Sequence, residues 1–144
     1  TDWGVIILFG GGLTLGKVLT LTGASSFLAS HLNELTADWP FILVVGAVVA
    51  FVIFLTELTS NTATTALFVP VFYQVAVEIG VPPSQLVLPL TIAASCAFML
   101  PIATPPNAIV YGSGQVLQRT MMRTGFVLNL SFAVILTALS SVLF

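Results

Sequence analysis

Ser60-Asn61-Thr62 interrupts two of the most apolar segments of the chain, 40–58 before it and 63–76 after it. Placed there, two hydroxyls and an amide sit at bilayer depth, where a polar group without a partner costs several kcal/mol. A bound ligand removes that cost, so the tripeptide is the first candidate for a binding site.

Working outward, residues 40–56 carry no charge and rise roughly 25 Å as a helix, just short of a bilayer core of about 30 Å. Glu57 follows, then Leu58-Thr59 and the tripeptide, and a second apolar run that contains Pro70 and finishes at Glu78-Ile79-Gly80. Two apolar arms joined by a polar tip predict a helical hairpin over 40–80 with its tip at 60–62. It is either re-entrant or a pair of full spans, and in both cases the chain returns to the side from which it started.

Composition fixes the class as an all-α integral membrane protein. Hydrophobic residues make up 58% and charged residues 6%, with a mean hydropathy of +1.14, against about 25% charged in globular proteins. A net charge of −2 gives no reason to expect nucleic acid as a partner. Cys96 stands alone, so no intrachain disulfide forms, and its setting in Ala93-Ala94-Ser95-Cys96-Ala97 marks a tightly packed helix rather than a reactive thiol. Thr1-Asp2-Trp3 carries no initiator Met, and no basic segment with a cleavage site follows; the chain is expected to begin mid-protein.

The remaining segments extend the same pattern. Residues 3–21 form a predicted transmembrane helix with Gly10-Gly11-Gly12 and Gly16, and Lys17 near its end reaches the headgroups. Residues 26–35 are too short and too polar to cross; Leu28, Leu32 and Leu35 share one face, with Ser30, His31, Asn33 and Glu34 elsewhere, as in an interfacial helix. Trp39 suits an interfacial belt, Pro40 a first helical turn, and Ser84 an N-cap after Val81-Pro82-Pro83. Residues 85–112 are expected to form a broken helix, running to Leu100, stopping at Pro101-Ile102-Ala103-Thr104-Pro105-Pro106-Asn107 and resuming at Ala108. Three prolines there remove three backbone N–H donors, and irregular backbone at depth is tolerated only against protein or a wet cavity. Arg119 and Arg123 precede a last transmembrane helix at 124–144 and place that end of it in the cytoplasm.

The two polar islands carry the chemistry. Each joins a helix break to Thr, Ser or Asn, offering freed carbonyls for a hard cation and helix N-termini for an anion. Discontinuous helices meeting at the midplane are how secondary transporters build such sites. No Lys, Arg or His occurs between Pro40 and Gln118, so an anion bound there needs helix dipoles and co-bound cations to offset its charge. Glu57 is a candidate cation ligand, or else a paired structural carboxylate. An intramembrane hydrolase using Ser60 lacks a His in a membrane segment and a Ser–Lys pair. A passive channel or structural bundle accounts for the hydropathy but not for two breaks furnished with Thr and Asn.

Ser60-Asn61-Thr62-Ala63, Ala103-Thr104-Pro105-Pro106-Asn107-Ala108 and the opening Trp3-Gly4 with Leu8-Phe9-Gly10-Gly11-Gly12 resemble the C-terminal half of the divalent anion:sodium symporter family, most of all its INDY-type dicarboxylate transporters. The resemblance implies one of two inverted repeats of an ion-transporter fold, with a hairpin, a broken helix and an interfacial helix that links a moving domain to a dimerising scaffold. It further implies that Ser60, Asn61 and Thr62 bind a substrate carboxylate, with Thr104 and Pro105 lining the same pocket. Na+ would be held by the carbonyls of Thr56, Thr59 and Ala103 and by the Asn61 side chain. The implied function is elevator-type, Na+-coupled uptake of a di- or tricarboxylate such as succinate, malate or fumarate across the inner or plasma membrane, by a homodimer whose N-terminal repeat lies outside this chain. The alternative within the family is sodium-independent exchange, which places basic residues where the cations would be; none stands near these motifs.

Overall fold

The computed structural model describes residues 3–36 and 38–143, and for residues 5, 9, 33, 35, 36 and 143 the backbone alone. Residues 1, 2, 37 and 144 lie outside the described residues, as do the side chains of Phe9, Asn33 and Leu35, which enter the sequence reading. The order of elements is α1 (Trp3–Leu21), α2 (Ala24–Thr36), α3 (Phe41–Thr56), α4 (Asn61–Ile79), α5 (Ser84–Ala93), α6 (Pro105–Gly112) and α7 (Gln118–Leu143). No strand occurs among the described residues. By length and apolar content α4 and α7 can each cross a membrane, and α1 with α2 makes a third, bent candidate turned through 79°.

α3 and α4 form a splayed hairpin. Phe41, Val44 and Val48 of α3 line the same crevice as Phe72, Val75 and Ile79 of α4, so the far ends of both arms return to one place. Midway, the rings of Phe51 and Phe68 meet edge to face at 5.8 Å. α5 fills the gap between the arms: Leu86, Leu90 and Ala93 pack with Val45, Val49, Val52 and Ile53 in one buried cluster that Leu136 of α7 completes. The hairpin therefore owes its shape to a third helix wedged between its arms.

α4 shows how local sequence sets an element. Ser60 caps its start, accepting from Ala63 N at 3.5 Å. Gly80 ends it with φ +78°, a conformation glycine adopts without strain, while Val81 N bonds back to Ala76 O at 3.0 Å. In between, Pro70 has no N–H to give the carbonyl four residues earlier, that of Ala66. α1 covers that carbonyl with Gly12, where an added Cβ would overlap the Ala66 oxygen, and Gly16 lies so close to Pro70 that a Cβ would stand 2.6 Å from its ring.

Several boundaries differ from the sequence reading. α5 ends at Ala93 instead of continuing to Leu100, because the N–H groups of residues 98–100 bond to a side chain instead of helical carbonyls. α7 begins at Gln118, so Arg119 lies in its first turn and Arg123 in its second. Pro40 is the N-cap of α3 and not its first helical residue, and Ser84 is the first residue of α5 and not its cap. Among the described side chains of α2, Ser25 and Ala29 are buried and Leu32 is partly covered where the helix packs against α4, while Leu28 is exposed. Cys96 is buried in the core cluster as a packing residue.

Candidate functional site

The first break, 57–60, separates α3 from α4, and the second, 94–104, separates α5 from α6. They meet. Leu58, Thr59, Ser60, Asn61 and Thr62 from the first face Ile102, Ala103, Thr104 and Pro105 from the second across one cleft of about 460 Å3, with Glu57 at its base. Ser60, Asn61, Thr62, Thr104 and Pro105, and the ion candidates Thr59 and Ala103, are thus brought together; Thr56 lies beneath, fully buried.

Side chains join the two breaks below the surface. Thr56 Oγ1 lies 2.7 Å from Asn61 Oδ1 and 2.9 Å from Ala94 O, tying the end of α3 to both the start of α4 and the end of α5. Asn107 donates through Nδ2 to Ala97 O and Leu100 O, each at 3.0 Å, and so anchors α6, which buries none of its own side chains. Thr59 and Thr64 share a hydroxyl contact at 2.6 Å.

Both carboxylate oxygens of Glu57 are engaged by protein donors in this arrangement. Its Oε1 accepts from Phe98 N at 2.7 Å, Met99 N at 2.8 Å and Asn129 Nδ2 at 2.8 Å, and its Oε2 from Leu100 N at 2.9 Å. It is 3% exposed. Of its two sequence readings the structural one describes the geometry: a carboxylate on one break holds the backbone of the other.

Helix polarity gives the cleft its electrostatics. The C-terminal ends of α3 and α5 and the N-terminal ends of α4 and α6 all border the two breaks, bringing partial negative and partial positive charge to one place. Among the described residues no backbone N–H bonds to the carbonyls of Thr56, Thr59 or Ala103. Those oxygens are available to a hard cation. No cluster of three or more His, Cys, Asp or Glu exists among the described residues.

The two N-termini are not equivalent. α6 opens with Pro105 and Pro106, which have no N–H, and its next two donors are taken, Asn107 N by Thr104 Oγ1 at 3.4 Å and Ala108 N by Thr104 O at 3.1 Å. α6 therefore contributes its dipole and a hydroxyl but no backbone donor. α4 keeps the N–H groups of Asn61 and Thr62, which have no intrahelical acceptor. The Ser60 and Thr104 hydroxyls each accept from a backbone N–H and so retain their own protons to donate. Anion-binding donors are concentrated on the 60–62 side.

Sequence reasoning missed Asn129, Gly125 and the anchoring role of Asn107. The one signal for Asn129 was an amide well inside the long apolar run that became α7.

Comparison with known proteins adds a separate line of evidence. A family model described as the sodium:sulfate symporter transmembrane region matches residues 1–143. An uncharacterized transporter of Haemophilus influenzae is 54% identical over 139 residues, which cover 96% of this chain and 30% of the relative. The sodium-dependent dicarboxylate transporter SdcS of Staphylococcus aureus is 45% identical, and that of Staphylococcus saprophyticus 42%, each over 93% of this chain and 26% of the relative. The chain thus spans between a quarter and a third of the length of these relatives.

Proposed function

Because the chain belongs to the sodium:sulfate symporter transmembrane family, a family of transporters and not of enzymes, we propose that it forms one half of the binding site of a multi-pass plasma-membrane carrier that couples Na+ entry to uptake of a dicarboxylate. The observation that carries this reading is the meeting of the two helix breaks in one cleft, with anion donors on one wall and unbonded carbonyls beside them.

The anion enters with its carboxylate toward the start of α4. The N–H groups of Asn61 and Thr62 and the hydroxyls of Ser60 and Thr62 donate to it, and Thr104 and Pro105 close the opposite wall. A carboxylate oxygen accepts several such donors, and each charge-assisted bond is roughly twice as strong as a neutral one. Two negative charges still have to be offset in a cleft whose lining contains no Lys, Arg or His. That shortage supports co-binding of Na+ over sodium-independent exchange.

Na+ is the second cargo, held by the carbonyls of Thr56, Thr59 and Ala103 with the Asn61 amide oxygen. Thr56 supports this assignment. Its hydroxyl has a single proton yet lies within hydrogen-bond distance of two oxygens, Asn61 Oδ1 and Ala94 O. A half-turn of the Asn61 amide lets Nδ2 donate to Thr56 and Thr56 donate to Ala94 O, which frees the amide oxygen for a cation. Binding of the anion and of Na+ then share Asn61, so each favours the other.

The remaining parts of the reading follow the family resemblance: an N-terminal repeat that completes the site, a homodimer, and an elevator motion in which α2 acts as the linking arm. The test is uptake of labelled succinate by the full-length parent in vesicles, with Na+ and with Na+ replaced by choline. Uptake that requires Na+ is expected. Uptake indifferent to Na+ would leave exchange or a channel, and no uptake of any di- or tricarboxylate would remove the proposal.

A further inference from the structure

Asn129 lies well inside α7, a helix that flanks neither break in sequence, and its side chain is wholly buried. In an apolar helix a buried amide without partners is strongly unfavourable, and this one has two. Its Nδ2 donates to Glu57 Oε1 at 2.8 Å, and its Oδ1 accepts from Phe98 N at 3.3 Å. One turn earlier, Gly125 lets the backbone of α7 reach the same loop, where a Cβ would stand 2.6 Å from Met99 Cα.

Both cleft walls hang from this point. The N–H groups of Phe98, Met99 and Leu100 point to Glu57, and the loop they belong to runs on to Ala103 and Thr104. Glu57 also follows directly on Thr56, whose hydroxyl meets Asn61. Asn129 itself does not line the cleft.

Resting on the transport reading above, we propose that Asn129 is a positioning residue for transport: by fixing the Glu57 carboxylate it sets the spacing between the 60–62 wall and the 102–105 wall without touching either cargo. Removing its side-chain amide leaves Glu57 Oε1 with the two loop N–H groups alone, and Phe98 N loses its second acceptor. The loop then settles differently on the carboxylate, and the groups that face each other across the cleft lose their register. Affinity for both cargoes depends on that register; the rate of moving a loaded cleft does not.

The experiment uses the full-length parent reconstituted in vesicles, with labelled succinate and varied Na+. Asn129→Leu removes both hydrogen bonds at similar volume, and Asn129→Ala removes both by truncation; neither sets a second carboxylate against Glu57. The half-saturating Na+ concentration and the succinate KM are expected to rise together, five- to tenfold, with the maximal rate per folded transporter within twofold of the unmodified protein. Added to Glu57→Gln, either substitution should change those values by less than twofold further, since the path runs through Glu57.

Unchanged half-saturation values in whichever variant folds would overturn the proposal, as would effects that multiply in the double variant. If neither variant yields folded protein, the role of Asn129 is structural and the proposal fails. An unmodified parent with no Na+-stimulated uptake defeats the transport reading itself, a result separate from any obtained with the variants.

Discussion

Gly12 of α1 lies against the backbone carbonyl of Ala66 in α4, the carbonyl that Pro70 deprives of its helical N–H. The absence of a side chain at position 12 lets a Cα–H approach that oxygen, a weak but recurring contact between packed helices. Gly12→Ala forces the two helices apart. Overpacking of this kind costs about 1–3 kcal/mol, more than the ~1 kcal/mol of helix propensity that alanine returns. The expected outcome is a lower unfolding temperature of the full-length transporter in detergent, and Gly16→Ala should lower it too, through Pro70.

Thr56 joins three elements with one hydroxyl, so its removal should show in cation binding before it shows in stability. Thr56→Val leaves the size nearly unchanged while both Asn61 and Ala94 O lose their partner. A buried hydrogen bond is worth about 1 kcal/mol net, and leaving a partner unsatisfied costs about 1–3 kcal/mol. The half-saturating Na+ concentration should rise roughly tenfold, at 1.4 kcal/mol per decade. Thr56→Ser keeps the hydroxyl and should restore most of the affinity; a serine variant as impaired as the valine one would show that the methyl group matters instead.

Much of this architecture was open to reading in the chain because its signals are local. Ser60-Asn61-Thr62 stands out against apolar flanks, and Pro101, Pro105 and Pro106 rule out one continuous helix, although α6 starts at Pro105 and not at Ala108. The early end of α5 was not visible. Residues 94–100 are apolar and pass for helix, and what unwinds them is a carboxylate more than 40 residues away. The fit of Gly12 to Ala66, the wedge of α5 between the hairpin arms and the clamp at Asn129 are likewise tertiary, and no local pattern encodes them. The inequality of the two helix N-termini is legible in the chain, since two prolines at the start of α6 remove its first two donors.

The hydroxyls of Ser60 and Thr104 have two duties, capping a helix and facing the cleft. Ser60→Ala and Thr104→Ala should each lose a cap worth about 1 kcal/mol, although the bonds of 3.5 and 3.4 Å are long and favour the low end. Their effects on transport should differ. At Ser60 the carboxylate also loses a donor beside two backbone N–H groups, so succinate KM should rise several-fold. At Thr104 the wall has no backbone donors to compensate, and the rise should be at least as large. Competition of labelled by unlabelled succinate in vesicles distinguishes a change in KM from a change in transporter number.

Pro106 offers the converse test, because it can be made to supply what α6 lacks. Pro106→Ala restores an N–H at the second position of the helix while Pro105 still fixes the first turn, so the helix itself should not suffer. The new donor has no intrahelical acceptor and borders the cleft at the positive end of the dipole. If the anion lies between the two walls, it gains a charge-assisted bond there and succinate KM should fall by several-fold at fixed Na+. Tighter binding that persists through the transport cycle gains nothing in turnover, so the maximal rate should stay level or drop as release slows. An unchanged KM with intact uptake would mean that the anion is held by the 60–62 wall alone and that Thr104 and Pro105 bound the cleft without contacting its occupant.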